Sequence, residues 1–548
     1  MRGTRISPCA FVVAVAIAMP AVGVVLHGCS MGSDSVNAPD TGAGRDAASD
    51  RSSEGWTPWD AGFDGGAADG VFRDVSDSVA VEVPAEGDAV DADSDEAVEV
   101  DICDEVIAEP QVLYLSADDS NSQASPVIAR RLIRQGTLVP SWLVRTYEFL
   151  NYYDISYPLP EHRRVTVVPQ MRADLDSGGR YALQIGVQGH EMTQETRRPL
   201  VLTLVLDTSG SMTGEPIDLE REVVRAIASS LRAGDMVSAV EWDTSRRITL
   251  DSHRVSGPAD PVLLSLAASL AAGGGTDLHS GLAMGYDLAS RNFRAGALNR
   301  VVLVSDGQAN VGITDEQLIS RHSNDAEREG IYLVGVGCGH GYNDTLMDTV
   351  TDAGKGAYVF IDSPAEARKQ FVDLFFQNME IAVMDVRVEL TLPPQLRMEE
   401  FHGEEYSTIP EEVEPQHLAP NDAMIFHQYL RACPGLADTD VIRAVAEYTD
   451  PATRERRSDG FEATIADLLE GGAAQLRKGN AIVVYAETLK KVYDLHRAGR
   501  GSEAQDECDG ALEAVRAAAA GTGDAEIGEI VSLLEAYCAD FPSRVEAW

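Results

Sequence analysis

One carboxylate and two hydroxyl side chains come directly after an apolar run of seven residues. The run is 200–206, and Asp207, Ser209 and Ser211 follow it. An almost continuous apolar run of this length is typical of a strand that a parallel sheet covers on both faces. Hard oxygen ligands at the C-terminal end of such a strand suit a hard divalent cation. The segment therefore predicts a metal site at the edge of a sheet, where a ligand can reach it.

Two later segments add further oxygen atoms to this candidate site. Thr276 follows three consecutive glycines, residues 273–275, which let the backbone come close to whatever Thr276 touches. Asp306 ends a second apolar run, residues 300–305, and is followed by Gly307. Taken alone, an Asp-x-Ser-x-Ser segment is equally typical of a helix N-cap. With Thr276 and Asp306 added, the metal interpretation is favoured.

These three pieces, in this order, resemble the metal-ion-dependent adhesion site of von Willebrand factor type A (VWA) domains. The resemblance covers residues 198–380, and no position of the motif departs from the family pattern. It implies hydroxyl ligands at three positions and carboxylates that bind directly or through water at two. The implied ligands are Asp207, Ser209, Ser211, Thr276 and Asp306.

The composition of this ligand set leaves room for a partner. Mg²⁺ takes about six oxygen atoms, so two carboxylates and three hydroxyls leave at least one position to water. A Glu or Asp from a protein or matrix ligand could displace that water and complete the shell. Magnesium is the predicted ion, with manganese and calcium as alternatives because oxygen-only sites discriminate weakly between these cations.

Other carboxylates lie close to the site segments in the sequence. Asp277 follows Thr276 and either hydrogen-bonds a ligand hydroxyl or caps the next helix, two interpretations that the sequence weighs equally. Asp235 and Asp243 are interpreted as turn residues.

The pattern around these residues predicts an α/β fold, a Rossmann-like doubly wound VWA domain with flanking strands resembling a β-sandwich and a helical C-terminal unit. The predicted strands of the VWA domain are 200–206, 236–242, 246–251, 300–305, 331–336 and 357–361. Its predicted helices are 216–232, 260–271, 278–291, 315–329, 343–352 and 364–378.

The rest of the chain divides by composition. The predicted units are a lipoprotein signal peptide (1–28), an acidic disordered tether (29–110), a helical N-terminal extension (111–160), a β segment (161–197) that pairs with 383–460, the VWA domain (198–380), a β domain (381–460) and a helical C-terminal region (461–548). The extension resembles the one that bacterial VWA lipoproteins carry before their metal-binding domain.

Charge and the N-terminus indicate where such a protein works. The 548 residues carry a formal net charge of −44, so no basic stripe is present to neutralise phosphates and nucleic acid is excluded as a partner. Residues 30–105 contain 21 Asp or Glu and three Arg, too little apolar surface to order themselves. Residues 26–29 resemble a bacterial lipobox with Cys29 as the lipidated residue; the alternative is a plain secretory peptide. The predicted location is the bacterial envelope, anchored by lipid in the outer membrane.

The cysteines fit an exported protein. Five remain after the signal peptide and Cys29 are set aside, so at least one is unpaired within the chain. Cys508 and Cys538 lie in neighbouring helical patterns and are the candidate disulfide. Cys338 is interpreted as a small residue near the rim of the site.

Three classes of function remain open at this level. The favoured one is a non-enzymatic, lipid-anchored module that binds protein ligands through the metal. The second is a scaffold in which the metal braces the loops. The third is a metal-dependent hydrolase, which the sequence favours least because the folded region contains no HExxH, P-loop or serine elbow.

Overall fold

The computed structural model describes residues 101–104, 107–118, 122–174, 178–308, 330–339, 343–354 and 356–539. The predicted signal peptide, Cys29, the predicted helix 315–329 and almost all of the predicted tether lie outside these residues. In the part of the chain that is described, no helix combines the length and apolar character that a bilayer crossing requires.

The strands of the described residues are β1 (Gln111–Ser116), β2 (Val165–Asp174), β3 (Arg180–Gly189), β4 (Leu200–Asp207), β5 (Met236–Trp242), β6 (Arg246–Arg254), β7 (Leu298–Ser305), β8 (Ile331–Cys338), β9 (Tyr358–Ile361), β10 (Val383–Leu392), β11 (Leu396–Phe401), β12 (Glu405–Ser407), β13 (Gln416–Leu418), β14 (Ala423–Ala432), β15 (Val441–Thr449) and β16 (Arg456–Thr464). The α-helices are α1 (Ala124–Arg134), α2 (Thr146–Tyr152), α3 (Glu215–Ser230), α4 (Pro261–Ser269), α5 (Leu278–Asn292), α6 (Asp344–Ala353), α7 (Pro364–Arg368), α8 (Phe375–Met379), α9 (Ile465–Glu470), α10 (Ala474–Arg497), α11 (Gly501–Ala519) and α12 (Ala525–Ala539).

A six-stranded sheet forms the centre of the α/β unit. Its strand order is β6-β5-β4-β7-β8-β9, and all neighbours are parallel except β6, which runs antiparallel to β5. Every residue of β4, β5, β7 and β8 is buried. The side chains of α3 and α4 share a core with one face of the sheet, and those of α5 share a core with the other. Helices on both faces explain why these strands are mostly apolar.

Two antiparallel sheets pack against each other beside this unit. One has the order β12-β1-β10-β15-β16, with β13 also on β10, and the other has the order β11-β14-β3-β2. Their facing side chains form a separate core. Strand β3, which precedes the α/β unit, pairs with β14, which follows it, from Gln188↔Ala423 to Arg180↔Arg431. The α/β unit is therefore inserted between strands of one sandwich.

The helices at both ends of the described chain pack into the core that α5 forms with its face of the central sheet. Side chains of α1, α2, α10, α11 and α12 join those of α5 in one apolar cluster. Before α1, Ser122 forms a parallel bridge with Tyr358, and the N–H of Gln123 donates to the Tyr358 carbonyl at 2.8 Å. The N-terminal segment thus covers β9, which is one edge of the central sheet.

The structure departs from the sequence-based elements in two places and gives the direction of strand β6, which the sequence left open. The segment predicted to be a helical extension begins with strand β1, which pairs with β10. Strand β6 returns antiparallel because only residues 243–245 separate it from β5, too few for a crossover. The helix predicted at 364–378 is divided by a π-helical turn, Lys369–Asp373, in which the N–H of Leu374 donates to the Lys369 carbonyl.

The described residues contain two disulfides. Cys508–Cys538 joins α11 to α12, and Cys103–Cys433, which the sequence analysis does not anticipate, joins the segment before β1 to the end of β14. Cys338 is an unbonded, buried thiol at the end of β8, and burial raises its pKa well above the ordinary value. Such burial is typical of a structural cysteine.

Candidate metal centre

The two predicted carboxylate ligands lie at the ends of adjacent strands. Asp207 is the last residue of β4, and Asp306 directly follows β7. These strands are parallel neighbours, paired from Leu200↔Leu298 to Leu206↔Val304. Because parallel strands end at the same edge of a sheet, both carboxylates reach the edge at which α/β folds bind ligands.

A tight loop after β4 arranges the first three side chains. Asp207 Oδ1 accepts a hydrogen bond from the N–H of Ser209 at 2.9 Å. The Ser209 and Ser211 hydroxyl oxygens are 3.0 Å apart, and a 3₁₀ turn, Gly210–Met212, leads on to α3. Ser209 is buried and Ser211 half-buried, so the pair faces the edge of the sheet with its second hydroxyl toward solvent.

The loop that carries Thr276 is joined to the first loop through the backbone. The N–H of Gly273 donates to the Thr208 carbonyl at 2.8 Å, and the N–H of Gly210 donates to the Gly274 carbonyl at 3.0 Å. A Cβ on Gly210 would lie 2.9 Å from that carbonyl oxygen, and Gly274 has φ +85°, so both positions require glycine. Thr276 is buried two residues further on. The glycine run thus joins the loop that carries Thr276 to the loop of Ser209.

Ser305 connects the two carboxylate segments, and the sequence analysis misses it. Its hydroxyl donates to Asp207 Oδ2 at 2.6 Å and accepts from the N–H of Gly307 at 3.0 Å. The residue is fully buried. A signal was available in the sequence, since Ser305 is the polar end of the otherwise apolar run that precedes Asp306.

Burial dominates the electrostatics of both carboxyl groups. Burial raises the pKa of Asp207 to about 7, although hydrogen bonds from Ser305 and Ser209 act in the opposite direction and the neighbouring Asp306 adds to the rise. Burial also raises the pKa of Asp306, against the effect of the Ser211 hydroxyl and the N–H of Gln308. Burial destabilises the charged forms of these two adjacent carboxyl groups. A bound cation would stabilise them.

A third buried carboxyl group lies behind the site. Glu220, on α3, is fully buried, and neither of its carboxyl oxygens has a hydrogen-bond partner among the described residues. Burial raises its pKa well above the ordinary value, and the charges of Asp207 and Glu241 raise it further. Burial therefore favours the protonated form of Glu220. No local pattern marks Glu220, because position 220 falls in an ordinary amphipathic helix.

The donor set at this edge fits a hard divalent cation. Asp306 Oδ2 is buried and has no hydrogen-bond partner among the described residues, so an acceptor is available where the predicted site requires one. In the same part of the chain, no three His, Cys, Asp or Glu side chains are grouped so that they could hold a metal. A cation here would consequently depend on hydroxyl as well as carboxylate oxygens, which suits Mg²⁺, Mn²⁺ or Ca²⁺ better than zinc. Asp207, Ser209, Ser211, Thr276 and Asp306 would hold it.

The nearby carboxylates have other structural roles. Asp277 caps α5, since its side chain accepts from the N–H of Ser280 at 3.2 Å. Asp243 accepts from the N–H and hydroxyl of Ser245 in the β5–β6 turn. Asp235 is not a simple turn residue: it is buried before the start of β5, at the opposite end of the strand from the site, and forms an ion pair with Arg197.

Comparison with known proteins supports the fold of this region. Residues 202–390 match the family model of the von Willebrand factor type A domain. Uncharacterized protein YfbK of Escherichia coli K12 is 28% identical over 323 residues, which are 54% of this chain and 55% of YfbK. Protein sll0103 of Synechocystis is 25% identical over 228 residues, covering 41% of this chain and 53% of the relative. The chain thus spans about half the length of these curated relatives.

Among solved structures, a von Willebrand factor type A protein from Catenulispora acidiphila is similar over 69% of this chain and 91% of its own, with 14% identity and a TM-score of 0.45. The assignment of this domain does not depend on this likeness. It depends on the family-model match, which begins within β4 and includes all the other strands of the central sheet. Residues 202–390 therefore form a von Willebrand factor type A domain.

Proposed function

We propose that this protein is a metal-dependent, non-enzymatic module that binds protein or matrix ligands at the bacterial envelope, where lipid on Cys29 anchors it in the outer membrane. The N-terminal sequence supports the anchor, because a basic segment and an apolar segment precede Cys29. The acidic stretch that follows would separate the folded part from the membrane surface.

One observation carries the binding function. Asp207, Ser209, Ser211 and Asp306 lie together at one edge of the central sheet, and Asp306 Oδ2 has no hydrogen-bond partner there among the described residues. When bound, a divalent cation supplies an electrophilic position that a Glu or Asp of a partner can occupy. The chain's own carboxylates only balance the charge of the ion, so a third carboxylate from outside is electrostatically acceptable.

The scaffold alternative is less well supported by the contacts. The loops of the site are already joined by backbone hydrogen bonds, from Gly273 to Thr208 and from Gly210 to Gly274, and by the Ser305 hydroxyl. A cation is not required to hold these segments together. A ligand position is therefore a better account of the oxygen cluster than a brace.

Binding in the presence and absence of divalent ions tests the proposal. The purified full chain is titrated with Mg²⁺, Mn²⁺ and Ca²⁺ by calorimetry, and its capture of proteins from an envelope extract is compared in Mg²⁺ and in EDTA. We expect micromolar-to-millimolar metal binding, and capture that EDTA and Asp306→Ala both abolish. The matched control is Asp218→Ala, an exposed carboxylate on the first turn of α3.

Three results would distinguish the alternatives. Absence of any heat with all three ions would overturn metal dependence. Metal-dependent stability with capture unchanged by EDTA would favour the scaffold. Turnover of a hydrolase substrate panel that EDTA abolishes would favour the enzyme.

A further inference from the structure

The N-terminal helix α1 reaches the rim of the candidate metal centre through Arg131. Its Nη1 donates to the carbonyl oxygen of Gly339 at 2.6 Å, and its Nη2 lies 3.5 Å from a carboxylate oxygen of Glu215. Glu215 is the first residue of α3, immediately after the loop of Ser209 and Ser211. Gly339 directly follows β8, the strand beside β7. One guanidinium group therefore contacts segments on two sides of the site.

Gly339 is packed directly against the site. It has φ +97°, and a Cβ built on it would lie 2.7 Å from Cγ of Pro216 and 3.8 Å from Cβ of Asp306. A Cβ at position 339 would overlap Pro216, so the backbone of Gly339 is in close contact with the start of α3, and Asp306 lies at ordinary van der Waals distance from the same position. A shift of the Gly339 backbone would therefore change the packing at the start of α3 and beside Asp306.

The helix that presents Arg131 is itself firmly held. The preceding residue, Arg130, is buried and forms ion pairs with Asp362 at 2.9 Å and Glu366 at 2.8 Å, both beyond the end of β9. Its guanidinium also donates to the hydroxyl of Tyr152 on α2 at 2.7 Å. Arg131 is largely buried, with its guanidinium 5.8 Å from the ring centre of Phe360. These contacts of Arg130 hold α1 in place, and a side chain can position other groups only if its own support is rigid.

We propose that Arg131 is a positioning residue of the metal centre: by holding the Gly339 carbonyl and Glu215 together, it fixes the backbone against which Asp306 is set. The N-terminal extension would then be a working part of the binding site and not only a connection to the membrane. This inference rests on the proposed metal-binding function.

The sign of the effect separates positioning from simple electrostatics. A positive charge near a cation site opposes cation binding, so if Arg131 were only a neighbouring charge, its removal would tighten binding. If it positions the site, its removal weakens binding, because groups that orient metal ligands are typically worth 10-fold to 100-fold in metal affinity.

The test compares full-length variants by calorimetry with Mn²⁺, with melting temperatures recorded in EDTA. We expect Arg131→Ala to weaken Mn²⁺ binding about tenfold. The control is Arg134→Ala, which removes the same charge from the same helix at a more exposed position that contacts Glu529. It should bind Mn²⁺ like the wild type, and both variants should melt within a few degrees of it in EDTA.

Arg131→Lys is the second variant, since it retains the charge but replaces the planar fork by a single ammonium group. It should bind Mn²⁺ more weakly than the wild type, by less than the alanine variant does, and it decides the question if Arg131→Ala fails to fold. Unchanged or tighter binding by the folded variants would overturn the positioning role while leaving the metal function intact. A wild type that binds no divalent ion would instead remove the proposed function itself.

Discussion

Ser305 donates its hydroxyl hydrogen to Asp207 Oδ2 at 2.6 Å, across the boundary between β7 and β4. The Ser305 hydroxyl oxygen in turn accepts a hydrogen bond from the N–H of Gly307 at 3.0 Å. The hydroxyl thus fixes the orientation of one candidate ligand from the strand that carries the other. Because Ser305 is fully buried, water cannot substitute for it easily.

The Ser305→Ala variant should lose metal affinity. Without the hydroxyl, Asp207 Oδ2 loses an acceptor bond in a buried environment, which costs about 1–3 kcal/mol of stability. The orientation of the carboxylate is lost with it, and we expect Mn²⁺ affinity measured by calorimetry to fall about 10-fold to 100-fold. Ser230→Ala is the matched control, since this buried hydroxyl donates to the Phe371 carbonyl at 2.7 Å, away from the site. Equal Mn²⁺ affinities of the two variants would contradict this assignment.

Divalent ions should raise the thermal stability of the protein. A ligand that binds only the folded state stabilises it by about 2.7 kcal/mol at a concentration 100 times its Kd. We expect Mg²⁺ or Mn²⁺ at that excess to raise the melting temperature of the wild type and to leave that of Asp306→Ala unchanged. Differential scanning fluorimetry with and without EDTA measures the shift. A shift of the same size in Asp306→Ala would mean that the ions act elsewhere.

Glu220 should make stability depend on pH in the metal-free protein. Its pKa in the folded state is raised well above the ordinary value of 4.5, so the folded chain keeps a proton that the unfolded chain releases. The folded state therefore binds more protons above pH 4.5, and the free energy of unfolding falls as pH rises from that value. Glu220→Gln should remove this decline and be more stable than the wild type at pH 8.

Denaturant unfolding in EDTA between pH 4.5 and 8 gives the comparison. The informative quantity is the difference between wild type and Glu220→Gln, since groups that do not interact with Glu220 titrate equally in both. Glu222→Gln, a partly exposed carboxylate on the same helix, is the control and should follow the wild type. A difference that stays constant across this range would show that Glu220 is ionised in the folded state.

The α/β class of the fold could be predicted from local sequence alone, and the prediction is confirmed. Apolar runs such as β4 and β7 are buried along their whole length, which gives a clear sequence pattern. The glycines before Thr276 indicate that the backbone there lies close to another segment. The five metal ligands remain a prediction, although the structure brings Asp207, Ser209, Ser211 and Asp306 together.

Features that depend on distant partners could not be predicted in this way. Residues 111–116 form strand β1 because they pair with β10, which lies far along the chain. Glu220 is unremarkable in an amphipathic helix until the fold buries it behind Asp207. The pairing of Cys103 with Cys433 spans 330 positions, and no local pattern marks it.

The Cys103–Cys433 disulfide should stabilise the sandwich without affecting the metal centre. It joins the segment before β1 to the end of β14, in the sandwich and not in the central sheet. A bond that closes so long a loop restricts the unfolded chain, and loss of a native disulfide typically costs about 2–5 kcal/mol. We expect Cys103→Ser to lower the free energy of unfolding by that amount in denaturant titrations, with Mn²⁺ affinity unchanged. Cys338→Ser, which breaks no disulfide, is the comparison for the loss of a thiol. A Cys103→Ser variant that unfolds at the same denaturant concentration as the wild type would show that this bond does not contribute to stability.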